Sequence, residues 1–359
     1  MDIDINELLE QAISAGASDI HLKVGSAPVM RIEGELKTMS GFDPLRPKAT
    51  QTLAESLMTP KAADDFRQQG TADFAYGRHD IGRFRVTAFR QRGSVSMILR
   101  HVVSGSQSFT ELGLPAAMDR YVDVDSGLIL VTGPSGAGKS TTISAIVDWI
   151  NTNKAKAILT VEDPIEVLHP DKRSIVAQRE VGVDTPHVAE AVRGAMRHDI
   201  DVIMVSELGD RAAARAAVDA AETGHLVVSS MRTTDPAETV NRLLAMFPDT
   251  ERHVVRGQLA SQLVMIVSQR LIDTAEGGLV LACEILTNNE RAQEWILSGS
   301  DPSGLVEIMK EGAFHGMQTF DQALLDHITN RVVKLDAALP HVRNSHEIRA
   351  KAMAAGVTV

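Results

Sequence analysis

The chain has 359 residues, of which 44% are hydrophobic and 23% charged; this ordinary globular usage excludes a disordered chain and a single small fold, and predicts about two domains at roughly 150 residues each. Acidic residues outnumber basic ones by 47 to 36, and the net charge of −11 argues against a surface built to bind nucleic acid or anionic lipid. Cys283 is the only cysteine, so no intrachain disulfide and no four-cysteine zinc site can form, which fits a reducing compartment.

The segment MDIDINELLEQ carries acids where a signal peptide needs basic residues, and nowhere do about 18 apolar residues run unbroken; the expectation is a soluble, cytoplasmic protein. Apolar residues recur at helical spacing over residues 5–15, and Gly16 supplies a stop. Residues 19–24 and 29–36 alternate apolar with polar around a Gly-Ser-Ala-Pro turn, the pattern of two strands in a hairpin. A helix of about 20 residues is predicted over 47–69, and strands over 74–76, 83–91 and 95–100. Residues 1–103 therefore read as an α+β domain with an antiparallel sheet.

Residues 104–113, rich in Ser and Gly, read as a linker, and the pattern then changes. Continuous apolar runs at 128–131, 157–161, 202–205 and 226–229 alternate with helical stretches, as in a mostly parallel α/β sheet spanning the domain 114–359. From Glu251 onward the pattern is helical apart from 279–285, with a helical C-terminal part from about 287.

Gly133-Pro134-Ser135-Gly136-Ala137-Gly138-Lys139-Ser140 matches G-x-x-x-x-G-K-[ST] in full, between an apolar run and a helical stretch that begins near Thr141. Backbone lacking Cβ atoms can wrap a phosphate closely enough to aim successive N–H groups at it, on top of a positive helix terminus. Lys139 then reaches the β/γ-oxygens of ATP and Ser140 holds Mg²⁺. The hydrolytic step also needs an acid at the end of a neighbouring strand, to hold the metal or orient the water; Glu162 and Glu207 both follow apolar runs, with Glu162 the candidate to hold Mg²⁺ beside Ser140. Either acid can equally cap a helix or face solvent in a loop. His225 precedes the run at 226–229 and is a candidate reader of the γ-phosphate state, with a structural histidine as its alternative.

Several segments together carry a more specific signal: ASDIHL at 17–22, GRFRV at 82–86, residues 127–142, VEDPIE at 161–166, QREVG at 178–182, AETGHL at 221–226 and GMQTFD at 316–321. They resemble the secretion-superfamily ATPases of type IV pili, and among them the retraction type (PilT/PilU). GMQTFD and the helical tail look closer to the accessory PilU branch, and no segment precedes ASDIHL of the size that assembly-type members carry. The resemblance implies a PAS-like N-terminal domain and a RecA-like ATPase domain, arranged in a homo-hexamer. It also implies an inner-membrane platform protein and a paralogous retraction ATPase as partners at the pilus base. By the same resemblance Glu162 and Glu166 fall in an acidic box, Glu207 in the Walker B position and His225 in a histidine box. Arg83 and Arg85, with Arg92 and Arg100 as further candidates, match arginines that reach toward the nucleotide, the alternative being strand residues that face solvent; Arg193 and Arg197 match a paired-arginine motif on one helix face, at a subunit interface or as plain surface charges. Three departures stand out. Ser206-Glu207-Leu208-Gly209-Asp210 replaces Gly-Glu-(hydrophobic)-Arg-Asp, Met231-Arg232-Thr233 replaces Leu-His-Thr, and the helical motif AIRNLIRE is not recognisable around 292–296. An arginine neither accepts a proton nor changes charge near neutral pH, so Arg232 is read as a fixed cation for the γ-phosphate. The leading expectation is a hexameric ATP-hydrolysing retraction motor. Its alternatives are a catalytically weak ATP-binding accessory ring subunit and, against the acidic balance, a nucleic-acid translocase.

Overall fold

The computed structural model describes residues 4–78, 80–299 and 301–357, and the chain divides into two compact units, Met1–Ser104 and Gly105–Val359. Residues 1–3 of the acidic N-terminal segment lie outside the described residues.

In the first unit, helix α1 (Ile5–Ser14) is capped by Asp4 and buries Leu8, Leu9 and Ala12. Strands β1 (Asp19–Leu22), β2 (Val29–Ile32) and β3 (Glu35–Thr38) follow. The expected second strand at 29–36 is itself a hairpin, because Glu33 and Gly34 take φ of 49° and 85° and turn the chain. The helix expected over 47–69 is two helices, α2 (Pro47–Leu57) and α3 (Pro60–Gln69). Thr59 accepts a cap bond from Ala62, and Pro60, which lacks an N–H, fits only a first turn, so the pattern breaks at Met58. Strands β4 (Thr71–Arg78), β5 (Gly82–Gln91) and β6 (Ser94–Ser104) complete an antiparallel sheet ordered β3-β2-β1-β6-β5-β4. Phe84, Val86 and Ala88 of β5 point into the core of this unit.

The second unit begins with α4 (Met118–Val122), β7 (Gly127–Thr132), α5 (Lys139–Asn153), β8 (Ala157–Glu162), the short β9 (Val167–Leu168), β10 (Ile175–Glu180) and α6 (Val188–Ala195). It continues through β11 (Val202–Val205), α7 (Arg211–Glu222), β12 (Leu226–Met231), α8 (Pro236–Ala245), α9 (Asp249–Gln262), β13 (Leu263–Asp273) and β14 (Leu279–Thr287). Helices α10 (Glu290–Ser298), α11 (Pro302–Glu311), α12 (Phe320–Thr329), α13 (Leu335–Ala338) and α14 (Ser345–Ala354) follow. The sheet order is β10-β8-β11-β12-β7-β13-β14, parallel throughout except for the antiparallel β13–β14 pair. Helices cover both faces, so β7 is buried along its whole length: Leu128 and Leu130 enter one core and Ile129 and Val131 the other. The helical reading from Glu251 onward misses β13. Its apolar run LVMIV is too short to separate a buried strand from a helix by periodicity. Strand β10 was not expected either. Among the described residues no helix is long and apolar enough to cross a membrane.

Candidate nucleotide site

Beyond the carboxyl end of β7 the chain makes a tight loop over residues 133–138 and enters α5, whose first residue is Lys139. Gly133 has a φ of 148°, and a Cβ there would lie 2.6 Å from the carbonyl oxygen of Gln269 on β13. Only glycine lets the loop pass so close to the neighbouring strand. Gly138 caps α5 with a φ of 84°. Gln269 is fully buried and donates from Nε2 to Thr142 Oγ1 at 2.7 Å, tying β13 to the first turn of α5.

The loop opens on a cleft of about 860 Å³. Ser135, Gly136, Gly138, Lys139, Ser140 and Thr141 line one side; Ser206, Glu207, Gly209, Asp210, Ser230 and Arg232 come from the ends of β11 and β12, and Asp163 and Glu166 from the loop after β8. All of these lie at the carboxyl edge of a parallel sheet, where the strand ends leave a crevice. Lys139 Nζ donates to the carbonyl oxygens of Gly133 and Pro134, each at 2.9 Å. Burial holds its amine below the usual lysine range; Glu207 and Glu166 pull it up and Arg232 pushes it down. Arg232 pairs with Glu207 across the strand ends at 2.9 Å. Asp210 accepts from the backbone of Ala213 at 2.8 Å as the cap of α7, so it has a structural task as well as a place in the cleft wall.

Two expected site residues stand elsewhere in this unit. Glu162 is 5% exposed and turned into the sheet, where Thr160 Oγ1 and Gln178 Nε2 donate to its Oε1 at 2.6 and 2.9 Å. The acids that face the cleft after β8 are Asp163 and Glu166. Every residue of β8 from Ile158 to Glu162 is buried, so no alternation in the sequence tells Glu162 from the acids that face the cleft. His225 lies at the amino end of β12, its Nδ1 3.1 Å from the carbonyl oxygen of Ala220 at the end of α7. A strand of this length separates it from Arg232 by roughly 20 Å, so within this chain it does not reach the cleft. Arg197 lies beyond the end of α6, in the turn after it, while Arg193 remains on the helix; both are exposed. Arg83 and Arg85 lie on β5 opposite the core-facing Phe84 and Val86. Arg85 is in register with Arg100, whose Nε donates to Asp19 at 2.8 Å, and Arg92 occupies the β5–β6 turn with a φ of 51°. Gln269 was missed because it belongs to the unrecognised β13.

Fold and cleft define a P-loop α/β protein. The chain belongs to the type II/IV secretion system protein family, whose model matches residues 1–303. It is 37% identical over 336 residues to the type IV pilus retraction ATPase PilT of Pseudomonas aeruginosa, covering 94% of this chain and 97% of that one. With the type IV pilus ATPase PilU of the same organism it shares 33% over 348 residues, covering 97% and 91%. The similarity thus supports the retraction type, and identity alone does not favour the PilU branch. A crystal structure of the pilus retraction motor PilT with bound ADP superposes with a TM-score of 0.86 at 39% identity, covering 97% of this chain and 99% of that one. The ATPase DotB of Legionella pneumophila superposes at 0.73, with 25% identity over 93% and 94% of the two chains.

Proposed function

We propose that this chain is an ATP-hydrolysing motor that powers type IV pilus retraction, and with it twitching motility. The observation that carries this reading is the complete phosphate loop sharing one cleft with Glu207, in a chain similar along nearly its whole length to a retraction ATPase. Backbone N–H groups of residues 133–138 and the amino end of α5 cradle the phosphates, and Lys139 exchanges its loop carbonyls for phosphate oxygens. Glu207 orients the attacking water.

Among the described residues no three His, Cys, Asp or Glu side chains are arranged to hold a metal ion. The donors facing the cleft are oxygens, from Ser140, Asp163, Glu166 and Glu207, which suits a hard cation held by one or two protein ligands together with phosphate. Ser140 would hold Mg²⁺, in a cleft that Asp163 and Glu166 line and the sequestered Glu162 does not. When bound, the ion neutralises charge on the β- and γ-oxygens.

The first unit is read as PAS-like and the second as RecA-like, in a homo-hexamer at the inner-membrane base of the pilus that contacts the platform protein there. Arg83 and Arg85 present cations to the nucleotide across subunits.

Steady-state ATP hydrolysis by the purified protein tests the reading, with the oligomeric state recorded in the same samples. Turnover on the order of 1 s⁻¹, lowered by about a hundredfold or more in Lys139→Ala and Glu207→Gln, is expected. Turnover indifferent to both changes overturns it. The Arg232–Glu207 pair favours a second reading, an ATP-binding accessory subunit acting beside a more active paralogous motor. In that case nucleotide binds and rings assemble with negligible turnover.

A further inference from the structure

Glu207 and Arg232 follow the ends of two adjacent parallel strands, β11 and β12, whose register sets Val205 beside Ser229. The backbone holds these ends together: Leu208 N donates to Ser230 O at 2.9 Å, and Ser230 Oγ donates to Ser206 O at 2.5 Å. On this fixed base, Nε of Arg232 donates to Oε2 of Glu207 at 3.0 Å, and Nη2 lies 2.9 Å from the same oxygen. A guanidinium on that oxygen competes with an attacking water for it. The pair nevertheless lies in the cleft that the phosphate loop opens on, and the Arg232 side chain is 69% exposed, so the bond is weak and the arginine is free to turn toward a stronger anion.

We propose that Arg232 is a clasp on Glu207 that the terminal phosphate of a nucleoside triphosphate opens. With no terminal phosphate, the guanidinium holds the carboxylate; with one, the guanidinium turns to the phosphate and leaves Glu207 facing the attacking water. A diphosphate offers no γ-phosphate to draw the arginine off, so the clasp closes again after hydrolysis and phosphate release. Arg232 is in this sense a positioning residue acting through Glu207, and the proposal rests on the reading of the cleft as an ATP site.

Equilibrium binding of a non-hydrolysable ATP analogue and of ADP, each with Mg²⁺, to the full-length protein and its variants tests the clasp without reference to turnover. Arg232→Gln is expected to weaken the analogue about tenfold, as for loss of a charge-assisted bond, and to leave ADP within about twofold. Glu207→Gln is expected to tighten the analogue by freeing the guanidinium, and that gain disappears in the double variant. A gain of the same size with or without Arg232 means simple relief of repulsion between carboxylate and phosphate and overturns the clasp. Equal weakening of analogue and ADP by Arg232→Gln, or no weakening of either, overturns it as well. Lys139→Ala separates the two levels: Lys139-dependent nucleotide binding that ignores Arg232 removes the clasp alone, whereas no nucleotide binding by the wild-type protein removes the ATP-site reading with it.

Discussion

Glu162 carries a carboxylate where the sheet leaves little water to solvate it. Burial pushes its pKa above the ordinary 4.5, although Thr160, Gln178 and the backbone of Glu166 donate to it and pull the other way. An acid whose pKa is higher in the folded chain than in the unfolded one holds its proton more tightly when folded. Its stabilising contribution is therefore fully present below the unfolded value and is lost as pH rises through the folded one. Glutamine cannot titrate, so the stability of the wild type relative to Glu162→Gln is expected to fall between pH 4 and pH 7. Urea unfolding at the two pH values checks this, and a relative stability that grows with pH contradicts a raised pKa. The same burial makes Glu162 a support for the loop that carries Asp163 and Glu166 more readily than a ligand in the open cleft.

At the scale of elements, the phosphate loop works because three pieces converge on it: β7 delivers it, α5 receives it and β13 backs it. Gly133 is where they press closest. A methyl there meets Gln269 O at 2.6 Å and Ala137 Cβ at 2.9 Å, backbone on one side and the loop itself on the other. Gly133→Ala is expected to displace the loop from β13 and cost at least about tenfold in nucleotide affinity, with a fall in melting temperature of several degrees, on the order of the shift for 1–2 kcal/mol. Titration with ADP and a thermal melt measure both; unchanged affinity would show that the close approach is tolerated. Much of this site was legible in the chain. The glycine pattern, the apolar run before it and the acid after Val205 are local signals: the run is the buried strand β7 that delivers the loop, and Gly136, Gly138, Lys139, Ser140 and Glu207 line the cleft. What depended on the arrangement of strands was not legible. LVMIV carries no period that distinguishes strand from helix, so β13 and its Gln269 were hidden. His225 and Arg232 sit within one short segment, yet β12 places them at opposite ends of the sheet. Glu162 and Asp163 are neighbours, and the pleat sends one inward and leaves the other at the cleft.

At the scale of the whole molecule, the C-terminal helices are held to the large sheet by a charge pair as well as by a core. Ile272 and Ala282 from β13 and β14 pack with Phe320, Leu324 and Ile328 of α12, Leu335 and Ala338 of α13, and Ile348 and Ala352 of α14. Beside that cluster Glu284, fully buried on β14, accepts from Arg343 Nη2 at 2.7 Å and from the backbone N–H of Phe320 at 3.1 Å. Arg343 N in turn donates to Asp321 at 2.8 Å, and the Arg270 guanidinium lies 4.2 Å from the centre of the Phe320 ring. Forming such a pair gains little over an apolar contact, because Glu284 loses its hydration entirely and Arg343 in part, but removing Arg343 strands the Glu284 charge in a dry site. Arg343→Met keeps most of the side-chain volume and deletes the cation, so it should cost about 3–5 kcal/mol in urea unfolding, or release α12–α14 from the sheet before the rest unfolds. Hydrogen exchange distinguishes the two outcomes, since early release raises exchange in α14 while β7 and β12 stay protected. A loss below about 1 kcal/mol with α14 still protected would mean that the apolar cluster alone holds these helices.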